Sequence, residues 1–225
     1  MWFDVIVRFL YTLTLWILPL FICITVHECA HVAIAIALGN RSIIQKKRLS
    51  LNPQRNLNLV GTLVLPLLML LSKSPVLFGW GKKVAVDQLD FKYPRLGLFL
   101  FAISGPIANL LLAIVFVYVW YALWLLPLPD AARSWLVLNA LNGVKLSLVM
   151  LIINTFPVLP LDGGKVVLSV LPKRWGEYYG ETEKFGVFMI LAILFIFPQI
   201  GLDLIYNFNT LFYPRFVYFF ISFLG

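Results

Sequence analysis

Leu20-Phe-Ile-Cys23-Ile-Thr-Val-His27-Glu28-Cys29-Ala30-His31-Val-Ala-Ile-Ala-Ile-Ala-Leu38 is an apolar stretch with two histidines and a glutamate set in its middle. These are the 2 histidines of the 225-residue chain, and they make the pattern H-E-x-x-H. Four residues is close to one helical turn, so both imidazoles project from one face and can grip one metal ion. Glu28, beside the first, is placed to act on water activated by that metal. Background composition yields such a pattern by chance in roughly one chain in a hundred of this size. In a soluble protein, a salt-bridged glutamate beside a packed histidine would be the plain alternative. Here the surroundings are lipid-like. An ionisable group there costs about 2.5–3.5 kcal/mol to insert and marks function.

Composition sets the class. Hydrophobic residues make up 61% of the chain and aromatics 16%, against 12% charged residues, and the mean hydropathy is +0.93. Those proportions fit a multi-span membrane protein and not a soluble domain. The expectation is one membrane-embedded unit over residues 1–225, with a catalytic core at about 9–170 and apolar segments at 185–225. The net charge of +8 comes from basic residues in short loops between apolar runs. That is the positive-inside bias of cytoplasmic loops; there is no basic tail or aromatic-basic motif to recognise nucleic acid. Two cysteines are too few for a disulfide scaffold.

About 20 apolar residues cross a bilayer core. Candidate spans run from Phe9 to Leu38 (stopped by Gly39-Asn40), Phe99 to Leu126, Trp135 to Asn154, and Phe185 to Phe197, with an aromatic-rich run from Phe212 to Leu224. A shorter apolar run, residues 59–71, is interrupted by Gly61 and Pro66. Basic residues flank it on both sides: Arg41, Lys46, Lys47, Arg48 and Arg55 before, Lys82, Lys83, Lys92 and Arg95 after. A segment with the same side at each end cannot cross, so a re-entrant excursion is expected there. The fold class expected is therefore an all-α polytopic membrane protein of about five to six transmembrane helices. To these are added the re-entrant segment and short cytoplasmic β-strands at 48–52 and 83–87, where polar and apolar residues alternate. On this map the first span runs outside to inside, and the 135–154 span ends on the same inner side.

At that inner end lies Asn154-Thr-Phe-Pro157-Val-Leu-Pro160-Leu161-Asp162-Gly163-Gly164. Its prolines end the helix near the membrane boundary, and Asp162 sits at the break. A Pro/Gly turn with an incidental aspartate is common taken alone. Catalytic zinc, however, takes three protein ligands plus an open position, and two histidines with a carboxylate is one standard set. With no third histidine, the remaining ligand is an acid or a cysteine, and Asp162 is the best-placed acid. Cys23 stands one turn before His27 on the same face but reads as packing, as does Cys29.

With these motifs the chain resembles the site-2 proteases, the intramembrane zinc metalloprotease family. The likeness covers most of residues 20–170. It rests on His27-Glu28-Cys29-Ala30-His31, on Asn154-x-x-Pro157-x-x-Pro160-Leu161-Asp162-Gly163, and on Gly105-Pro106-x-x-Asn109 between them. Leu51-Asn52-Pro53, Gly61-Thr62, Pro66 and Phe78-Gly79-Trp80 are similar to the compact branch, without a PDZ insertion or nucleotide-sensing domain. The resemblance implies that His27, His31 and Asp162 hold Zn2+, that Glu28 is general base and acid, and that Asn154 binds or polarises the substrate. It also implies transmembrane protein substrates, a multi-pass location in the cell membrane, and an active site toward the cytoplasm. Asn56 stands in the neighbourhood where compact relatives carry a histidine that is not a usual zinc ligand. Gly81-Lys82-Lys83 replaces a more typical Ala-Lys-Pro.

Elsewhere the readings are structural. Gly105, Ala108 and Ala113 mark close helix contact, with Asn109 bonding a neighbour. Lys145 snorkels or meets a polar partner, and Trp120, Tyr121 and Trp124 suit an interfacial belt. Two competing functions use the same residues: a membrane metal transporter with His27, Glu28, His31 and Asp162 as a transit site, and a catalytically silent protein that binds membrane helices.

Overall fold

Backbone N–H and C=O groups facing hydrocarbon must be satisfied within one segment, and long apolar runs do this as helices. The computed structural model describes residues 2–40, 49–50, 52, 56–71, 79–82, 91–186 and 208–223. Among them, three helices are long and apolar enough to cross a membrane: α1 (Trp2–Ala37), α3 (Pro94–Leu125) and α4 (Asp130–Thr155). At 1.5 Å per residue they are roughly 54, 48 and 39 Å long, each more than the bilayer core of about 30 Å. All three begin several residues before their apolar spans do. Asp4, Arg8, Arg95 and Arg133 do not break a helix, so hydropathy marks the buried length and not the helix start.

The helix stops follow local chemistry. Gly39 adopts φ 98° just past α1, and Gly39 N donates to Ile36 O at 3.1 Å while Asn40 N donates to Ala35 O at 2.9 Å. This double closure is the glycine-dependent cap that the Gly-Asn pair implies. At the other junction, α4 ends at Thr155, and α5 (Asp162–Val170) and α6 (Lys173–Glu181) follow. A Cβ on Gly163 would collide with the carbonyl oxygens of Thr155 and Phe156, and one on Gly164 would lie 2.5 Å from Leu159 N. The two glycines therefore let the start of α5 fold back against the end of α4. That fold-back turns Asp162 inward.

The core is a triangle of helices. Leu20, Cys23 and Ile24 of α1 pack with Leu146 and Met150 of α4. Val32 and Ala35 of α1 pack with Leu98 and Phe101 of α3, joined by Phe91. Ala113 and Val117 of α3 meet Val144 and Leu148 of α4, with Tyr213, Phe216, Val217, Phe220 and Ile221 of α7 (Tyr213–Ile221) laid on top.

Residues 59–71 form a π-helical turn, Leu59–Val64, continued by α2 (Leu65–Leu71). Asn58 caps it, its side chain accepting from Val60 N and Gly61 N at 3.0 Å each. Pro66 falls in the first turn of α2, where a missing N–H does no harm. At about 20 Å by helical rise the whole piece is too short to cross. Residues 79–82 run along its entrance. Leu57 and Gly81 pair as an antiparallel bridge, Lys82 N donates to Asn56 O at 2.7 Å, and Thr62 Oγ1 donates to Trp80 O at 2.8 Å.

This bridge is the β-contact of the described residues, which hold no sheet. The strand expected at 83–87 and the basic residues Arg41, Lys46, Lys47, Arg48, Arg55 and Lys83 lie outside them, and residues 49, 50 and 52 form no strand. The apolar run 185–197 lies outside them beyond Gly186. The run from Phe212 contains α7, whose 9 residues are too short to span alone.

Replacing Gly163 by alanine is expected to strain the α4–α5 junction, since its collisions are with backbone. A loss of about 1–3 kcal/mol should appear as a lowered thermal midpoint of the purified protein in detergent, with the far-UV helical signal kept.

Candidate metal centre

The helical spacing of His27 and His31 stacks their side chains on one face of α1, and both are buried. The rings meet edge to face, with Nε2 atoms 3.1 Å apart. Asp162 enters from α5, its Oδ2 lying 3.2 Å from His27 Nε2 and 3.1 Å from His31 Nε2. The three atoms thus form a nearly equilateral triangle joined across 131 residues of sequence. His31 Nδ1 lies 2.8 Å from the Phe101 carbonyl oxygen. A carbonyl only accepts, so the proton of neutral His31 is on Nδ1 and its Nε2 presents a lone pair to the triangle.

Three such donors converging in a buried space fit one divalent cation. Tetrahedral coordination at about 2.0–2.2 Å sets neighbouring ligand atoms roughly 3.3–3.6 Å apart, close to the separations seen. Burial alone would raise the Asp162 carboxyl. The positive charge beside it, with Lys165 Nζ 2.9 Å from Oδ1, outweighs that and holds the carboxyl well below the usual range. Asp162 is therefore a carboxylate ready to ligate. Among the described residues, His27, His31 and Asp162 are the cluster of histidine, cysteine or acid side chains that could hold a metal.

The surrounding groups hold each ligand from behind. Ser104 Oγ donates to Phe101 O at 2.7 Å and lies 3.2 Å from His31 Nδ1. The Phe101 ring stacks on His31 at 4.7 Å between centroids. The Asn109 amide lies 3.1 Å from His27 Nδ1. Lys165 Nζ donates to Asp162 Oδ1 at 2.9 Å, leaving Oδ2 for the imidazoles, and also lies 5.2 Å from the centre of the Phe101 ring. Gly105 is the closest approach: a Cβ there would lie 2.5 Å from both His27 Cε1 and His31 Nε2. The helix contact read from Gly105 is thus a contact with the imidazoles themselves. Ser104 and Lys165 escaped the sequence reading. So did Phe101, although it precedes Gly105 and Asn109 at the same four-residue spacing on α3, as Lys165 follows Asp162 by three; nothing in the spacing marks Ser104.

Glu28 is buried on the neighbouring face of α1, against the Leu57–Gly81 bridge; a Cβ on Gly81 would stand 2.8 Å from Glu28 Cγ. Asn154 occupies the last turn of α4, half-buried, with Nδ2 donating to Met150 O at 2.9 Å. Cys23 faces away from the triangle, its Sγ 3.1 Å from Ser147 Oγ of α4. Cys29 Sγ donates to Ser50 O at 3.0 Å. Asn56 is fully buried and its Nδ2 donates to the same Ser50 carbonyl at 2.6 Å, tying the loop to α1.

No family model matches the chain, and no solved structure matches it. Among curated proteins it is similar to one from Bacillus subtilis (strain 168) named "Putative zinc metalloprotease YwhC", 30% identical over 190 residues, which cover 81% of this chain and 80% of that protein. The chain belongs to this site-2 protease-like family of zinc metalloproteases. For a metalloprotease, the buried His-His-Asp triangle is the expected kind of ligand set.

Gly105→Ala drives a methyl group into both imidazoles. The purified variant is expected to bind zinc roughly 10–100-fold more weakly than wild type, in the range seen when ligand orientation is disturbed, measured by competition with a chromophoric chelator. Lys165→Met frees Asp162 Oδ1, and a smaller loss in the same assay is expected, restored in part by Lys165→Arg.

Proposed function

We propose that the protein is an intramembrane zinc endopeptidase that hydrolyses peptide bonds in or near transmembrane segments of membrane proteins. The observation that carries this reading is the His27–His31–Asp162 triangle, built on a helix long and apolar enough to cross a bilayer. A soluble metalloprotease has no reason to place its ligands there. His31 precedes the end of α1 at Ala37 by six residues, about 9 Å of helix, within reach of water entering from that end. Loop charge orients that end toward the cytoplasm of the cell membrane.

Zinc, when bound, polarises a carbonyl and lowers the pKa of water toward neutrality. The chain supplies the rest. Glu28, adjacent to the first ligand, takes a proton from the attacking water and returns it to the leaving amine. Asn154 holds the substrate carbonyl oxygen as charge develops on it. One of its two amide hydrogens is donated to Met150 O, and the other remains for the substrate. Lys165 keeps Asp162 ionised and oriented. A transmembrane helix hides its amides in its own hydrogen bonds, so cleavage favours substrates with helix-weakening residues near the cut.

The test is cleavage of co-expressed single-span membrane proteins by wild type and Glu28→Gln. The variant is expected to retain zinc and to cleave at least about a hundredfold more slowly. Equal substrate levels with both, despite bound substrate, would favour a silent binder of membrane helices. Zinc uptake into vesicles without proteolysis would favour a transporter.

A further inference from the structure

Asn109 is wholly buried on α3, one turn beyond Gly105. Its Nδ2 is placed 3.1 Å from His27 Nδ1, and its Oδ1 is buried with no hydrogen-bond partner among the described residues. The oxygen and nitrogen of an amide are nearly alike in shape, so the orientation is decided by the hydrogen bonds it makes. As placed, the NH2 group donates to Nδ1. Neutral His27 then carries its proton on Nε2, the atom aimed at His31 and Asp162, and cannot ligate from there. Turning the amide by half a rotation removes both difficulties. Oδ1 accepts from His27 Nδ1–H, Nε2 is left with a free lone pair, and the orphaned oxygen gains its partner.

We infer that Asn109 is a positioning residue that fixes the metal-binding tautomer of His27 by presenting its carbonyl oxygen to Nδ1. His31 supplies the internal comparison. Its Nδ1 faces the Phe101 carbonyl, which can do nothing but accept. Because α1 and α3 run antiparallel here, His31 meets residue 101 and His27 meets residue 109, with Gly105 midway against both rings. Two oxygens of one helix face thus hold two imidazoles in the same tautomer. This inference rests on the metal reading of the triangle and assigns a role that Asn154, Glu28 and the ligands do not fill.

The test measures zinc affinity by chelator competition, and the visible spectrum of the cobalt-substituted protein, for the full chain in detergent. Variants are Asn109→Asp, Asn109→Leu and His27→Ala beside wild type. Asn109→Asp, which can only accept when ionised, is expected to keep zinc affinity within about threefold of wild type and to keep the cobalt spectrum. Asn109→Leu is expected to weaken zinc roughly 10–100-fold and to alter the spectrum at an unchanged thermal midpoint. Wild-type affinity in the leucine variant would overturn the proposal, because packing alone then suffices. Loss in the aspartate variant equal to that in the leucine variant would overturn it by showing that Asn109 donates. If the leucine variant misfolds, the aspartate arm still decides: a loss of roughly tenfold or more against wild type overturns the proposal, and affinity within about threefold upholds it. Wild type binding zinc no better than His27→Ala would overturn the metal reading itself, and this inference with it.

Discussion

Three polar atoms, two imidazole nitrogens and a carboxylate oxygen, converge at 3.1–3.2 Å in a buried space, and the rest of the molecule is arranged around that convergence. Lone pairs so placed repel one another, and in a low-dielectric setting the repulsion is poorly screened. The arrangement is favourable when a cation sits among them and awkward when none does. Packing must hold the donors in place against that repulsion. The triangle of α1, α3 and α4 does so with apolar side chains on either side of the site along α1: Leu20, Cys23 and Ile24 on one side, Val32 and Ala35 on the other.

α3 provides no ligand, yet it presses on all three. Gly105 brings its backbone against both rings, the Phe101 carbonyl and the Asn109 amide reach the two Nδ1 atoms, and the Phe101 ring lies under Lys165, which holds Asp162. A side chain at position 105 would separate the helices and loosen every one of these contacts together. The same economy holds at the α4–α5 junction, where Gly163 and Gly164 let a helix start lie against a helix end and thereby aim Asp162. Glycine here acts as absence of bulk, at two places where backbone must come close. Among the described residues, buried polar side chains bond from helix to helix, as Cys23 to Ser147 and Asn142 Nδ2 to Leu15 O show.

Much of this was legible in the chain itself. H-E-x-x-H in an apolar helix points to two imidazoles able to share one metal, because the period of the helix dictates that residues four apart share a face. The need for a third, non-histidine ligand follows from coordination chemistry, and Asp162 follows from its place at a broken helix end. The closing of α1 at Gly39-Asn40 was equally local. Helix starts were not legible, because a helix continues through interfacial charged residues that hydropathy treats as loop. Short strands were expected from alternation, but alternation names no partner, and the pairing that forms joins Leu57 to Gly81.

The amino-acid order by itself determined the class of the protein, the helix that carries the histidines, and the kinds of atoms that would meet, since each depends on composition or on spacing within one element. Only the tertiary structure decided which residues stand behind the ligands. Phe101, Ser104, Gly105, Asn109 and Lys165 become part of the site through the antiparallel register of α1 against α3 and the fold-back of α5. Register between helices is set by the interdigitation of many side chains at once, a sum over contacts that no local pattern encodes.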